Sequence, residues 1–175
     1  MKVTSQQEFD AAIAAGEQLV VIDSPRDVLI TVQVPDSVTV EAYGSSKVEA
    51  LESSTVEAYD SAKVWAFGSA KVWAYDSVTV WASGSAKVWA FGSSTARVYD
   101  TATVWAFGSA KVWAFGSTKV WAFGSVTVEA YDSSTVRASK FVAVHLHAAT
   151  ATVTGGAVTI EHEVDIHGRG GVPRH

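Results

Sequence analysis

The chain has 175 residues, of which 48% are hydrophobic, and its net charge is −5. This fits one soluble domain with a sizeable core, and the acidic balance argues against nucleic acid and anionic membranes as partners. The absence of cysteine excludes disulfide and thiolate chemistry and leaves the redox compartment open. Because residues 1–15 lack a basic start followed by an apolar run, we expect no signal peptide. Nor does any stretch reach membrane-spanning length, which suits a cytoplasmic or phage-particle-associated protein.

The first predicted element is a short amphipathic helix over residues 5–15, SQQEFDAAIAA. Ser5 is a suitable N-cap, and Glu8, three positions later, completes a capping box. Phe9 and Ile13 lie one turn apart on the same face of this helix. We expect the helix to cover the first coil of the fold and to protect an open sheet edge.

Strands follow the helix directly. The segment LVVID, residues 19–23, starts the first strand and completes a capping region over residues 1–28. The next segment, LITVQVPD, already falls into the register of an eight-residue repeat that fills residues 29–140. This repeat predicts the architecture of the main body.

Residues 37–140 are thirteen consecutive octads without insertion or deletion. Position one is Ser in twelve of them, position four is Val in twelve, and position six is Ala in twelve. Position eight is Gly or Asp in eleven, which suits a corner that needs a positive φ or a side-chain bond to the backbone. An even period keeps alternating side chains on the same face of every strand, so positions four and six form the interior.

The outward face then carries positions three, five and seven. Position five accepts Glu41, Trp65 and Arg97 alike, so this face must reach solvent. An antiparallel meander would place charged and apolar rows on a shared face, whereas a parallel coil stacks identical positions about 4.8 Å apart. We therefore predict an all-β parallel solenoid.

The size of one coil has two solutions. The octad SAKVWAFG recurs unchanged at residues 61, 85 and 109, a step of 24, and this favours three octads per coil. A triangle of that perimeter lined only by Val and Ala is difficult to fill, and voids are costly. A flattened coil of two octads, with a step of 16, is the alternative.

The alternation continues beyond the repeats, in a C-terminal coil or capping strands over residues 141–167. Val142, Val144 and Leu146 extend the inward row, and His145 and His147 face outward. After two glycines a second inward row is predicted from Val158, Ile160, Val164 and Ile166. We expect residues 168–175, GRGGVPRH, to be a disordered tail.

These motifs carry a resemblance over roughly residues 5–140. The segment EFDAAIAAG before the first strand resembles the amphipathic segment that precedes the coils of right-handed parallel β-helix proteins. The octads resemble the S-x-x-V-x-A-x-[GD] repeats of uncharacterised bacterial and phage proteins, and are more distantly similar to ice nucleation protein repeats. The resemblance implies a right-handed parallel solenoid and indicates little about activity.

Aromatic residues are the strongest functional signal. All seven tryptophans occupy position five in the middle of the array, and aromatic residues accompany them at position seven. The predicted binding girdle consists of Trp65, Trp73, Trp81, Trp89, Trp105, Trp113, Trp121, Phe67, Phe91 and Phe115. Seven indoles of on the order of 200 Å² each would exceed what an ordinary monomer leaves exposed. We therefore predict a non-enzymatic structural or binding protein that associates with itself or with a protein partner.

Two other interpretations of the girdle stay open. Stacked aromatics can stabilise a parallel coil through cross-strand pairs without binding any ligand. Carbohydrate binding is a further function, and the coil size decides how suitable the surface is for it. Three octads per coil would spread the tryptophans over three sides, whereas two octads would align Trp73, Trp89, Trp105 and Trp121 in one ladder.

Catalytic and ice-binding hypotheses both depend on the 24-residue coil. Glu52, Asp76 and Asp100 would then stack about 4.8 Å apart, as a carboxylate pair for hydrolysis or as calcium ligands. Since corners require Asp or Gly for conformational reasons alone, we predict no catalytic residue and no cofactor. A single row of threonines for ice binding would comprise Thr55, Thr79, Thr103 and Thr127, although neighbouring tryptophans spoil its flatness.

The last candidates are a metal site and a nucleic-acid surface. His145 and His147 share a strand face, and Glu161, Glu163 and His167 are the possible additional ligands. Two histidines without a third ligand at fixed spacing indicate solvated side chains, so we predict no metal site. Lysines alternate with tryptophans at residues 63, 65, 71, 73, 87 and 89, a local nucleic-acid pattern that the overall acidity opposes.

Overall fold

The computed structural model describes residues 1–35, 37–156 and 158–161, and for 158–161 it describes the backbone alone. Within these residues the chain forms one helix, α1 (Gln6–Ala14), and nineteen short strands. The strands are β1 (Lys2–Val3), β2 (Leu19–Ile22), β3 (Leu29–Val32), β4 (Thr39–Ala42), β5 (Lys47–Ala50), β6 (Thr55–Ala58), β7 (Lys63–Ala66), β8 (Lys71–Ala74), β9 (Thr79–Ala82), β10 (Lys87–Ala90), β11 (Thr95–Val98), β12 (Thr103–Ala106), β13 (Lys111–Ala114), β14 (Lys119–Ala122), β15 (Thr127–Ala130), β16 (Thr135–Ala138), β17 (Ala143–Leu146), β18 (Thr152–Gly155) and β19 (Val158–Glu161).

The described strands form two parallel sheets. One sheet has the order β1-β2-β4-β6-β8-β10-β12-β14-β16-β18, and the other runs from β3 through the odd-numbered strands to β19. The chain therefore alternates between the sheets, and from β4 onward each octad strand pairs with the strand two octads away, as Trp89 pairs with Trp73 and Trp105. At β3, Leu29 pairs with Lys47, 18 residues ahead, so the octad register predicted for residues 29–36 is wrong by two residues, an even shift that leaves the inward face unchanged. The predicted parallel β-solenoid is confirmed. Its coil contains two octads, so the 16-residue alternative is correct and the preferred 24-residue coil is wrong.

The interior explains why two octads suffice. Val at position four and Ala at position six are buried in both sheets, and in the columns from Val40 to Val136 and from Ala42 to Ala138 nearly all are inaccessible to solvent. Such small side chains fill the space between two facing sheets but would leave a void in a wider triangle. The 24-residue recurrence of SAKVWAFG has no structural counterpart, because successive copies fall on β7, β10 and β13, which alternate between sheets.

Each corner occupies positions seven, eight, one and two. Position eight adopts a left-handed conformation in twelve of the thirteen octads, the exception being Lys140. Five acidic residues reach this conformation with φ between 52° and 59°: Glu52, Asp60, Asp76, Asp100 and Asp132. At position one the hydroxyl donates to the position-eight carbonyl of the coil before, as Ser61 does to Gly44 at 3.0 Å. The preference for a hydroxyl at position one, Ser in twelve octads and Thr101 in the other, therefore follows from the corner, and these residues need no catalytic role.

The N-terminal helix covers the first coil as predicted. Ser5 Oγ accepts a hydrogen bond from the Glu8 amide at 3.3 Å, and the Glu8 carboxylate accepts one from the Thr4 amide at 2.7 Å. Phe9 is buried, and Ile13 packs against the core. The Gln6 side chain satisfies backbone groups of the edge strand β3. It accepts a hydrogen bond from the Thr31 amide at 2.7 Å and donates one to the Thr31 carbonyl at 3.1 Å.

At the opposite end, Val142 and Val144 are buried as predicted, while Leu146 is half-buried. The side chains of Val158 and Ile160 and the residues from 162 onward, including Val164, Ile166 and the predicted tail 168–175, lie outside the described residues. The right-handed sense implied by the resemblance stays a prediction. Within the described chain, α1 is too short and too polar to cross a membrane.

Candidate interaction surface

The two sheets present two outward surfaces. We call the surface of the ten-stranded sheet face A and that of the nine-stranded sheet face B. On each face, positions three, five and seven form three parallel columns, because identical positions pair in register from coil to coil. All seven tryptophans point outward, and they are divided between the two faces.

Face A carries four tryptophans in one continuous column. Trp73, Trp89, Trp105 and Trp121 stack with ring centroids 4.4, 4.9 and 5.3 Å apart and interplanar angles of 5° to 10°. Charged residues flank the column at position five. Glu57 pairs in register with Trp73 at one end, and Arg137 pairs with Trp121 at the other. Within the column each indole is half-buried, because its faces lie against its neighbours and its rim is exposed.

A second aromatic column runs beside it at position seven. Six rings, Tyr43, Tyr59, Tyr75, Phe91, Phe107 and Phe123, stack at centroid distances between 4.7 and 5.3 Å. Ser139 follows Phe123 at this position and ends the column. Phe123 is correspondingly open, with 41% of its surface exposed.

Face B is interrupted. Trp65 stacks on Trp81 at 5.0 Å, but the next position-five residue is Arg97. Its guanidinium carbon lies 5.7 Å from the Trp81 ring centroid and 5.0 Å from that of Trp113, so the cation is held between two indoles. At position seven Ser83 separates Phe67 from a four-ring column of Tyr99, Phe115, Tyr131 and His147.

The predicted girdle residues are therefore brought into two groups. Face A contains Trp73, Trp89, Trp105, Trp121 and Phe91, and face B contains Trp65, Trp81, Trp113, Phe67 and Phe115. The expected distribution over three sides is wrong, because it assumed three octads per coil. The predicted girdle included only Phe91 from the position-seven column of face A and missed its other five rings, Tyr43, Tyr59, Tyr75, Phe107 and Phe123. A spacing of two octads between aromatic residues is the signal that identifies them.

Half-buried tyrosine hydroxyl groups accompany the position-seven column. Burial raises the pKa of Tyr59 well above its ordinary value, and its hydrogen bond to Glu57 at 2.8 Å adds to the shift. Burial likewise raises the pKa of Tyr43, which donates to Glu41 at 3.1 Å, and that of Tyr75. These phenols stay neutral at physiological pH, so the column is uncharged and the carboxylates at its base are held in place.

The corner carboxylates do not form the predicted cluster. Asp76 lies at the corner that follows face A, whereas Glu52 and Asp100 lie at the corner that follows face B, three coils apart. The expected stacking of these three residues is wrong, again because of the coil size. Aspartates at this position instead accept from the amide one coil before, as Asp100 does from Gly84 at 2.9 Å and Asp132 from Gly116 at 2.8 Å.

The predicted threonine row is also divided. Thr55 and Thr103 lie on face A, and Thr79 and Thr127 lie on face B. A single flat row of these four residues is therefore wrong, since they belong to alternate sheets of the 16-residue coil.

His145 and His147 both point outward from β17, as predicted. His147 Nε2 lies 2.5 Å from a Glu129 carboxylate oxygen, and the His147 ring stacks on Tyr131 at 4.3 Å. In the described part of the chain no three His, Asp or Glu residues come close enough to bind a metal ion. Glu163 and His167 lie outside the described residues, as does the side chain of Glu161.

Comparison of the chain with protein-family models, with curated proteins and with solved structures finds no match.

Proposed function

We propose that the chain is a non-enzymatic structural β-solenoid that associates through face A with another protein surface, and foremost with copies of itself. The observation that carries this proposal is the pair of uninterrupted aromatic columns on face A. Their ten rings lie on the outside of a closed coil whose core is already complete, so they contribute more than the fold requires.

The size of the surface supports assembly. Six rings at about 4.8 Å per coil extend the apolar strip over about 24 Å. With two columns side by side the strip covers roughly 300 Å², which is within the range of the largest apolar patches on soluble proteins and is typical of an interaction site. The rims of stacked indoles are flat and rigid, and burying them costs little side-chain entropy.

Glycan binding is a second candidate, supported by one feature. Sugars stack on aromatic ring faces, but within the columns these faces cover one another. They become accessible where the columns end, in an open cleft of about 420 Å³ lined by Trp121, Phe123, Arg137, Ser139 and Thr154. A polysaccharide panel should shift tryptophan emission in the parent and not in Trp121→Ser; absence of any shift in the parent would remove this candidate.

We also propose kinship with the octapeptide-repeat proteins of bacteria and phages, and at greater distance with ice nucleation repeats. Its support is the octad itself, in which Ser, Val, Ala and Gly or Asp each have a structural role in corner or core. An ice-binding function gains no support from this kinship, because the threonines lie on alternate faces.

Light scattering across a concentration series tests the main proposal. The parent should form an oligomer at micromolar concentrations, and Trp89→Ser, in the centre of the face A column, should dissociate it. Trp113→Ser is the matched control, since it removes one outward indole from face B. A parent that is monomeric throughout the series would contradict the proposal, as would equal dissociation by both variants.

A further inference from the structure

The ends of the face A tryptophan column carry opposite charges. In order along the solenoid, position five reads Glu57, Trp73, Trp89, Trp105, Trp121 and Arg137. When this row is inverted, tryptophan falls on tryptophan and each terminal charge falls on its opposite. We infer that the partner of face A is a second copy of this chain, docked with the two solenoid axes antiparallel. This inference rests on the proposed function.

The geometry is a two-fold axis along the strand direction, midway between the levels of Trp89 and Trp105. Such an axis turns the second face toward the first and reverses its coil order, while position five stays opposite position five. Trp73 then faces Trp121 of the second copy, and Glu57 faces its Arg137. The two-fold repeats both contacts, so the interface has a salt bridge at each end.

The neighbouring columns agree with the same axis. At position seven, Tyr75 comes opposite Phe123 of the second copy and Phe91 opposite its Phe107. At position three, Lys87 comes opposite Thr103. Lys71 comes opposite Lys119, but both stand in the outermost column, where long side chains keep their charges in water.

Glu57 and Arg137 are both placed to form this contact, since one is held by a hydrogen bond and the other is exposed. Tyr59 donates a hydrogen bond to the Glu57 carboxylate at 2.8 Å, which fixes its position at the foot of the column. Arg137 is exposed, and among the described residues it forms no ion pair. A bidentate contact with the carboxylate of a second copy would complete its hydrogen bonding.

Other arrangements lack this complementarity. Parallel axes would set Glu57 against Glu57 and Arg137 against Arg137, and like charges across an interface suppress association. On face B the tryptophan run is flanked by Glu49 and Glu129, so the equivalent two-fold would oppose two carboxylates and bury the charge of Arg97.

The contact area sets the strength of the dimer. The distance from Glu57 to Arg137 is five coil steps, about 24 Å, and positions three to seven span about 13 Å. Each copy would bury roughly 300 Å², and the pair roughly 600 Å², which is below the standard size of stable complexes. The dimer should therefore be reversible and depend on protein concentration in the micromolar range.

Thiol crosslinking tests the arrangement, because the chain has no cysteine of its own. Facing sheets lie about 10 Å apart, so a short bismaleimide bridges opposed positions, whereas like positions of an antiparallel pair are about 24 Å apart. We expect Glu57→Cys mixed with Arg137→Cys to give a crosslinked heterodimer, and each variant alone to give none. Glu49→Cys on face B, mixed with either, is the control and should stay uncrosslinked.

Charge reversal gives an independent measurement. Glu57→Arg and Arg137→Glu should each weaken the dimer about tenfold or more, since each places like charges opposite at both ends. An equimolar mixture of the two variants should recover the parent affinity, because their heterodimer restores both pairs.

The outcomes separate this inference from the proposed function. Crosslinking of each cysteine variant with itself, or a dimer without any crosslink, would overturn the antiparallel arrangement and leave self-association through face A intact. A parent that light scattering shows to be monomeric at all concentrations would overturn both.

Discussion

Faces A and B are built from the same octad on opposite sides of one core, yet they differ in continuity. Face A has four stacked tryptophans and six further stacked rings, whereas Arg97 and Ser83 interrupt the corresponding columns of face B. The flanking charges also differ, Glu57 and Arg137 on face A against Glu49 and Glu129 on face B. A single core therefore carries one surface whose flanking charges are complementary when the surface is inverted and another whose flanking charges are alike.

The largest expected effect comes from making face B resemble face A. Arg97→Trp would join Trp81 and Trp113 into a continuous column, because position 97 pairs in register with both. If Glu49→Arg is added, the column is flanked by Arg at position 49 and by Glu129, so its two ends carry opposite charges as on face A. Two self-complementary faces on opposite sides of the molecule should convert a closed dimer into open-ended assemblies that light scattering detects as continuous growth.

The single substitutions are the controls for this experiment. Arg97→Trp alone keeps Glu49 opposite Glu129 of the next copy, so we expect little growth from it. Glu49→Arg alone keeps the column interrupted. If Arg97→Trp alone assembled as far as the double variant, the flanking charges would be irrelevant on face B, and their role on face A would lose its support.

The next largest effect concerns the free energy of unfolding. Trp89 stacks on two indoles, at 4.4 and 4.9 Å, whereas Trp65 stacks on one, at 5.0 Å. Both side chains are half-buried, so the loss of burial largely cancels between Trp89→Ala and Trp65→Ala. The difference should be one stacking contact, about 0.5 to 1.5 kcal/mol. Urea unfolding at concentrations where the parent is monomeric measures it.

Equal destabilisation by the two variants would indicate that stacking contributes nothing beyond burial. The interpretation that stacked aromatic residues stabilise the coil would then fail. Copying of one octad by repeat duplication would be enough to explain the columns.

How much could be predicted from the sequence depends on whether a feature is local. The α1 helix, the inward Val and Ala rows and the left-handed corners follow from alternation, capping and the corner residues, and all were predicted. Coil size is not local, because it depends on how much volume the interior can fill. The identical octads at 61, 85 and 109 favour three octads per coil. In the structure, however, they lie on alternate sheets, so their 24-residue spacing does not correspond to one coil.

The wrong predictions about the carboxylate and threonine rows all follow from the wrong coil size. With the coil size wrong, Glu52, Asp76 and Asp100 were placed in one stack and Thr55 was grouped with Thr79. The outward orientation of the tryptophans was predicted correctly, since it depends only on the even period. The ladder of Trp73, Trp89, Trp105 and Trp121 was predicted for the two-octad alternative and is confirmed together with that coil size.

An effect of similar size is expected from the cation on face B. Arg97 lies between the rings of Trp81 and Trp113, and two such contacts at a partly exposed site contribute about 1 to 2 kcal/mol. Arg97→Ala should lower the free energy of unfolding by that amount. Arg137→Ala is the matched control on face A, where an exposed side chain should change the monomer by less than about 0.5 kcal/mol. The same loss from both variants would show that the sandwich is not stabilising.

The smallest effect is a change in proton binding at the base of face A. Burial raises the pKa of Tyr59, and the Glu57 hydrogen bond and charge raise it further. The unfolded chain releases this proton near pH 10, whereas the folded chain retains it. Stability from Tyr59 is therefore fully present below about pH 10 and is lost as the pH rises toward the pKa of the folded phenol, an effect that solvent around the half-exposed ring keeps small.

Substitution of Glu57 separates the two causes of this shift. Glu57→Gln removes the charge, so the tyrosinate absorbance of Tyr59 should appear at lower pH than in the parent, yet still above the pH for a free phenol because burial persists. Tyr131 on face B, whose pKa is raised by burial and then by Glu129, should titrate unchanged and is the internal control. An identical titration curve in parent and Glu57→Gln would show that the Glu57 carboxylate is not held against Tyr59. The inference that Tyr59 fixes Glu57 for contact with Arg137 of a second copy would then lose its support.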